Sequence, residues 1–263
     1  MKDLTVIIPL HKYDKETEAL LSKAVASVPE DTEIRISCKK GLATGLNKAY
    51  KENKNVKVLE NDGEESDFCT LVNKAVGDTT WFSILEYDDE YTPIWFDNFR
   101  KYVDFYSDIS IFVPMEDLVD ATTDKFAGIG NEAPWASSFS NEIGYIDNDC
   151  LKNFFDFYMT GAVFRTDDWK EVGGLKPSIK LTFWYEFLLR ATYKGKKVYV
   201  IPKIGYTHLL GRKDSLIEGY KATITDKESN FWIDVARKEY FFKEERDKSK
   251  YIYDPNKNAE DEE

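Results

Sequence analysis

The chain alternates between short continuous apolar runs and stretches in which apolar residues recur every three or four positions. Leu4–Pro9 is unbroken apolar sequence and predicts a first strand, and Lys15–Ser27 follows with helical spacing. Glu33–Cys38 predicts a second strand, Gly41–Asn53 a helix and Val56–Leu59 a short third strand. Asn61-Asp-Gly63 is a turn signal. Ser66–Val76 then reads as a helix with Phe68, Leu71, Val72 and Ala75 on one face. Trp81, Phe82, Ile84 and Leu85 form the next buried strand, and Thr92-Pro93 is a helix start, a capping residue followed by proline. The stripe Ile94, Phe96, Phe99, Val103, Tyr106 continues that helix, and Ile109–Val113 is a further strand. Strands alternating with helices imply an α/β fold whose mostly parallel sheet is covered on both faces.

Past Val113 the pattern dissolves. Residues 115–160 are rich in Gly, Asn, Ser and Asp with isolated aromatics, and read as an irregular region of the functional or mobile kind. Order returns at Gly161–Arg165, at Thr182–Tyr193 as a helix and at Lys197–Ile201 as a strand. A long amphipathic helix over Asp226–Lys248 offers Phe231, Trp232, Val235, Tyr240 and Phe242 for docking. The organisation expected is one domain over 1–210, a helical appendage over 211–250 and a disordered acidic tail over 251–263.

The strand at Trp81 ends in Glu86, Asp88, Asp89 and Glu90. Buried carboxylates so close repel one another and lose hydration, and a divalent cation is the usual remedy. In an open α/β sheet ligands also sit at that end of the strands. The alternative is a solvated loop after a core strand.

Composition narrows the partners. The 263 residues carry 48 acidic against 36 basic groups, a net charge of −12, which argues against a nucleic-acid binder. No apolar run approaches the roughly 20 residues of a membrane span, and the run after Met1 is too short for a signal peptide. Cys38, Cys69 and Cys150 are widely spaced, which fits reduced structural thiols and a cytoplasmic setting. Two histidines rule out a histidine-rich metal site.

In order, several segments resemble the family 2 glycosyltransferases, nucleotide-sugar-dependent enzymes of the GT-A fold. They are Leu4-Thr-Val-Ile-Ile-Pro-Leu-His11, Asn73-Lys-Ala-Val-Gly77, Trp81–Asp89, Gly161–Arg165 with Glu171-Val-Gly-Gly-Leu175, and Glu186–Arg190 with Ile201–His208. The resemblance implies a GT-A domain over about 210 residues. It implies a nucleotide-sugar donor met by Pro9, His11, Asn73, Lys74 and Glu86. It also implies Mn2+ or Mg2+ held by Asp88, Asp89 and His208, acting as a Lewis acid as the diphosphate leaves. His208 is equally a capping histidine in a loop.

Transfer with inversion needs a base for the acceptor hydroxyl. Where the family carries an acidic pair this chain has Phe183-Trp184, and the nearest acid is Glu186, either the base or a helical partner of Arg190. The family's second-strand aspartate is replaced by Ser37-Cys-Lys-Lys-Gly41, and its helix arginine by Val72. Lys39, Lys40 and Lys74 are then either diphosphate contacts or solvated lysines. Trp135, Phe139, Tyr145 and Trp184 either stack on sugar rings or anchor the irregular region to the core.

Two functions follow. One is a metal-dependent, inverting glycosyltransferase acting on a saccharide, lipid-linked or protein acceptor. The other is a weakened or inactive GT-A domain serving a larger assembly, such as a viral particle, with the C-terminal helix meeting a protein partner or a second copy. A nucleotidyltransferase fits less well, because Pro9-Leu-His-Lys-Tyr-Asp14 is not a glycine-rich phosphate loop.

Overall fold

All seven residues of the first strand, Leu4–Leu10 (β1), are buried, because this strand is packed on both faces. In a computed structural model, residues 3–62, 67–136 and 142–241 are described. From β1 the chain continues through Lys15–Ala26 (α1), Glu33–Cys38 (β2), Ala43–Ala49 (α2), Val56–Glu60 (β3) and Phe68–Ala75 (α3). Trp81–Ile84 (β4), Glu90–Tyr91 (β5), Trp95–Phe105 (α4), Ile109–Asp120 (β6) and Lys125–Gly130 (β7) follow. Next come Asn148–Asn153 (α5), Val163–Arg165 (β8), Thr166–Val172 (α6) and Phe183–Tyr193 (α7). Lys197–Leu210 (β9), Leu216–Lys221 (α8) and Asp226–Phe241 (α9) end the described chain.

The sheet order is β3-β2-β1-β4-β8-β6-β9-β5, with β7 paired to β6. Strands β1, β2, β3, β4, β6 and β9 run one way and the short β5, β7 and β8 run the other, so the sheet is mostly parallel as expected. One face buries Val6, Ile8 and Leu10 of β1 against Leu21 of α1, Leu46 of α2 and Phe99 of α4. The other buries Ile7, Phe82 and Ile84 against Val72 of α3, Trp169 of α6, Phe187 of α7 and Ala236 of α9. After β1 the chain builds outward through β2 and β3, then returns to set β4 on the other side of β1. Such a reversal leaves a crevice at the carboxyl ends of the two strands.

Residues 115–160 are more regular than the sequence suggests. Strand β6 runs on to Asp120, β7 returns along it as a hairpin, and β9 reaches Leu210 alongside. Register shifts on both sides of Met115 interrupt the alternation that would have revealed this ribbon. The Thr92-Pro93 start is also displaced: α4 begins at Trp95, and the Thr92 hydroxyl instead donates to the Ile204 carbonyl at 2.9 Å. Cys38, Cys69 and Cys150 are buried free thiols. Among the described residues no helix is long and apolar enough to cross a membrane. Phe139, Phe242 and the 251–263 tail lie outside the described residues.

Helix α9 packs on the body of the same chain, with Ala236 and Tyr240 buried and Trp232 and Ile233 against the core. It closes a buried ionic network centred on Glu186, which is 2% exposed. Arg190 donates to both Glu186 oxygens at 2.9 and 2.8 Å, Lys176 Nζ lies 2.7 Å away, and the Tyr240 hydroxyl donates at 2.9 Å. Burial alone would raise the Glu186 carboxyl, but Arg190 and Lys176 hold it below the usual glutamate range.

Removing one partner strands the other as an uncompensated buried charge, so Glu186→Ala is expected to cost about 3–5 kcal/mol in denaturant unfolding. A carboxyl held low in the folded state stabilises above its unfolded value and loses that contribution as pH falls through the folded one. Unfolding midpoints of the wild type are therefore expected to drop below about pH 4, and Glu186→Gln to lose part of that dependence.

Candidate functional site

Strand β4 delivers its acids to the carboxyl end of the sheet, and three neighbours fix them there. The Glu86 amide donates to the Tyr206 hydroxyl of β9 at 3.0 Å. The Leu209 amide of β9 donates to Asp89 Oδ1 at 2.8 Å. The Gly161 amide donates to the Ile84 carbonyl at 2.7 Å, with Gly161 at φ +77. A Cβ on Gly161 would come within 2.5 Å of the Tyr206 ring, so only glycine lets that ring reach Glu86.

Asp88 and Asp89 are buried, and Glu116 of β6 is fully so at 0% exposure. His208 Nδ1 sits 3.0 Å from Asp89 Oδ2 and 3.8 Å from Glu116 Oε2, close enough for charge pairing although neither contact is an aligned hydrogen bond. Ligand atoms of Glu86, Asp89 and His208 lie within 4.8 Å of one another. Asp88 Oδ1, Asp89 Oδ2, both Glu116 oxygens and His208 Nδ1 lack hydrogen-bond partners. These are five of the ten such buried side-chain atoms among the described residues, so the shortfall is concentrated here.

The electrostatics follow. Burial, then the charges of Asp89 and Asp88, push the Glu86 carboxyl up to about 8. Burial, then Asp89, raises Asp88, and burial raises Glu116 well above the carboxylate range. Burial favours a neutral His208, but Asp89, Glu116 and Glu86 outweigh it and push the imidazole up to about 10.

A basic group closes the crevice between β1 and β4. Arg212 Nε lies 2.7 Å from Asp88 Oδ2, and its guanidinium covers the Tyr87 ring 4.9 Å from the centroid and donates to the Tyr87 hydroxyl. Arg212 also meets Asp214 at 2.7 Å, and Lys12 pairs with Asp214. His11, just past β1, lies 5.8 Å ring to ring from Tyr87 and keeps a buried, unpartnered Nδ1. Burial, then the charges of Lys12 and Arg212, lowers His11 to about 4.

On the other side of the acids is a cavity of about 250 Å³. Glu86, Asp156 and His208 are among its polar lining, and Phe68, Tyr158 and Trp184 among its aromatic lining.

The structure therefore brings together Glu86, Asp88, Asp89 and His208, with His11 at the neighbouring crevice. Pro9 is inside β1, buried and in register with Ser37 of β2. Asn73 and Lys74 lie in the last turn of α3, the end that leads to the start of β4, away from the acids. Asn73 is a staple there: its amide group donates to the Leu175 carbonyl at 2.8 Å and accepts from the Leu175 amide at 3.0 Å. Lys74 is exposed. Glu186 is held in its ion-pair network and does not line the cavity. Trp135 donates to the Val200 carbonyl at 3.1 Å and Tyr145 packs on Tyr199 at 5.0 Å, so both anchor the chain to β9. Sequence reasoning missed Glu116, Tyr206 and the Arg212–Asp88 pair. Glu116 has a faint signal, an acid two positions before Leu118 on what proves to be a strand face.

No family profile matches the sequence, and no curated protein does. Solved structures do match. S. aureus TarS 1-349 in complex with UDP-GlcNAc superposes with a TM-score of 0.65 at 13% identity, covering 94% of this chain and 69% of that one. A second structure of S. aureus TarS 1-349 gives 0.63 at 13% identity, covering 94% and 68%. A mannosyltransferase from Pyrobaculum calidifontis in complex with GDP-Man and Mn2+ gives 0.57 at 11% identity, covering 81% and 58%. The fold is GT-A-like. In the GT-A-like frame the acids occupy the sheet end where ligands bind in open α/β proteins.

The two histidines of the metal-free protein are expected to differ in charge at pH 7. NMR of the ring nitrogens should show His11 neutral down to about pH 4 and His208 protonated until about pH 10. The raised His208 contributes stability that is full below about pH 6.5 and is lost as pH rises through 10.

Proposed function

We propose that this chain is a glycosyltransferase that moves a sugar from a nucleoside diphosphate donor to an acceptor hydroxyl, with inversion and with a divalent cation. The observation that carries the reading is the charge balance at the end of β4. Glu86, Asp88, Asp89 and Glu116 face two cationic side chains, His208 and Arg212, leaving a deficit of two positive charges when all are ionised. The unpartnered oxygens and the oxygen-and-imidazole donor set fit a divalent ion such as Mn2+. Fold neighbours in complex with UDP-GlcNAc, and with GDP-Man and Mn2+, support the donor class.

Glu86, Asp89 and His208 would hold the ion, with Asp88 released from Arg212 to join them. When bound, the ion supplies Lewis-acid stabilisation of charge on the departing diphosphate. Arg212 and Lys12, already gathered at the crevice, give that diphosphate positive charge, and a neutral His11 offers it a hydrogen bond. The acceptor enters the aromatic cavity, where Trp184 and Tyr158 present faces suited to the C–H surface of a sugar. Asp156 takes the proton as the acceptor oxygen attacks the anomeric carbon and the bond to the diphosphate breaks. This role passes from Glu186 to Asp156 because Asp156 is on the cavity wall and Glu186 is locked by Arg190, Lys176 and Tyr240. A second reading, a donor-binding domain without transfer, is favoured by one observation: Trp184 stands where the resembling family carries its base.

Thermal unfolding with UDP, GDP, CDP and dTDP, each with and without Mn2+, tests the donor site. One diphosphate is expected to raise Tm only with Mn2+, by the equivalent of about 2–3 kcal/mol at 100 times Kd, and Asp89→Ala to abolish the rise. No shift with any pair removes the donor reading. Asp156→Asn is expected to lower sugar transfer by about 100-fold or more while keeping the nucleotide-dependent Tm rise. Wild-type donor binding without transfer to any saccharide, lipid-linked or protein acceptor favours the second reading.

A further inference from the structure

Glu116 is the most deeply buried acid of the cluster and the least explained. It lies on β6 opposite Tyr206 of β9 and Gly130 of β7, at 0% exposure. Neither of its oxygens has a hydrogen-bond partner, although a buried carboxylate offers about four acceptor sites. Oε2 lies 3.8 Å from His208 Nδ1, and the charges of His208, Asp89 and Glu86 all act on it.

The surroundings hold that position firmly. The strand register shifts on both sides of Met115, just before Glu116. A Cβ at Gly130 would come within 2.9 Å of the Tyr158 ring, so glycine there lets that ring pack against β7 beside Glu116. Asn131, in the left-handed region at φ +64, ties the strand end down by donating to the Pro114 carbonyl at 2.9 Å and the Tyr158 carbonyl at 2.8 Å. An acid in such a place with nothing to accept from is costly unless a cation meets it.

We propose that Glu116 is a further carboxylate ligand of the cation site, so that Glu86, Asp89, Glu116 and His208 hold a divalent ion before any nucleotide arrives. The proposal rests on the reading of the acid cluster as a cation site. While Asp88 stays paired with Arg212, a site without Glu116 has only the carboxylates of Glu86 and Asp89 beside His208, and such a site relies on the donor's diphosphate to complete the ion's shell. Three carboxylates and an imidazole do not, and the imidazole favours Mn2+ over Mg2+. The chain is then loaded with metal first and with donor second.

The test titrates Mn2+ alone into the full chain and follows free Mn2+ by its electron paramagnetic resonance signal, with no nucleotide present. Wild type is expected to take up one ion, and Glu116→Gln to weaken that uptake about 10- to 100-fold with an unchanged circular dichroism spectrum. Glu116→Gln within twofold of wild type overturns the proposal. In a His208→Ala chain the same substitution is expected still to weaken uptake at least fivefold. If its effect vanishes there, Glu116 acts only by positioning His208 and the ligand assignment is wrong. Should the glutamine variant fail to fold, Glu116→Asp, which shortens the carboxylate by one methylene, carries the same comparison. If wild type takes up no Mn2+, the cation reading fails as a whole, an outcome distinct from failure of Glu116 alone.

Discussion

Four carboxylates gathered at one end of a hydrophobic sheet are the constraint on which the rest of the molecule depends. Each is brought by the backbone: three by the turn after β4 and Glu116 by β6. Strand β9 answers them with Tyr206, His208 and the Leu209 amide, and the segment after it adds Arg212. Its unusual length of 14 residues has this reason: its first half builds core and its second half lines the acids. Gly161 yields the space for the Tyr206 ring, so even the loop before β8 is shaped by the cluster.

The two sides of the acids differ in kind. Toward β1 the crevice is lined by Lys12, Arg212 and His11, suited to phosphate oxygens. Toward α7 the cavity is walled by Phe68, Tyr158 and Trp184, suited to an apolar or ring-shaped surface. Glu86 borders the cavity while its neighbour Asp88 meets Arg212 at the crevice. The walls thus sort ligands by charge, with anionic groups suited to the crevice and apolar surfaces to the cavity, and the acids lie between them.

The sequence reveals the first half of the fold because β1 and β4 are buried on both faces and so are written as apolar runs, while β2 alternates Ile34, Ile36 and Cys38 with polar residues. The acid cluster after β4 is legible for the same reason, as a sudden change from core to charge. The β6–β7–β9 ribbon is not, because it is only partly buried past Val113 and because Pro114 and Pro202 punctuate it. Glu116 falls inside that ribbon and looks like one more surface acid. Asn73 is a different case: nothing in the helix sequence signals that its amide meets Leu175, 102 residues later. Glu186 and Arg190 were readable as a helical pair, but not that Lys176 and Tyr240 would complete their network.

Tyr240 gives this architecture an order in time. Within α7 and its approach Arg190 and Lys176 already pair with the buried Glu186, and the Tyr240 hydroxyl, made 54 residues later, adds the last hydrogen bond. The acid end of β4 likewise waits for Tyr206, 120 residues after Glu86. On a ribosome adding about 5–20 residues per second, the early strands would be present for several seconds before either partner emerges. Maturation of this protein is therefore a late event in its synthesis, because the cations that face the acids after β4, His208 and Arg212, emerge about as late as Tyr206.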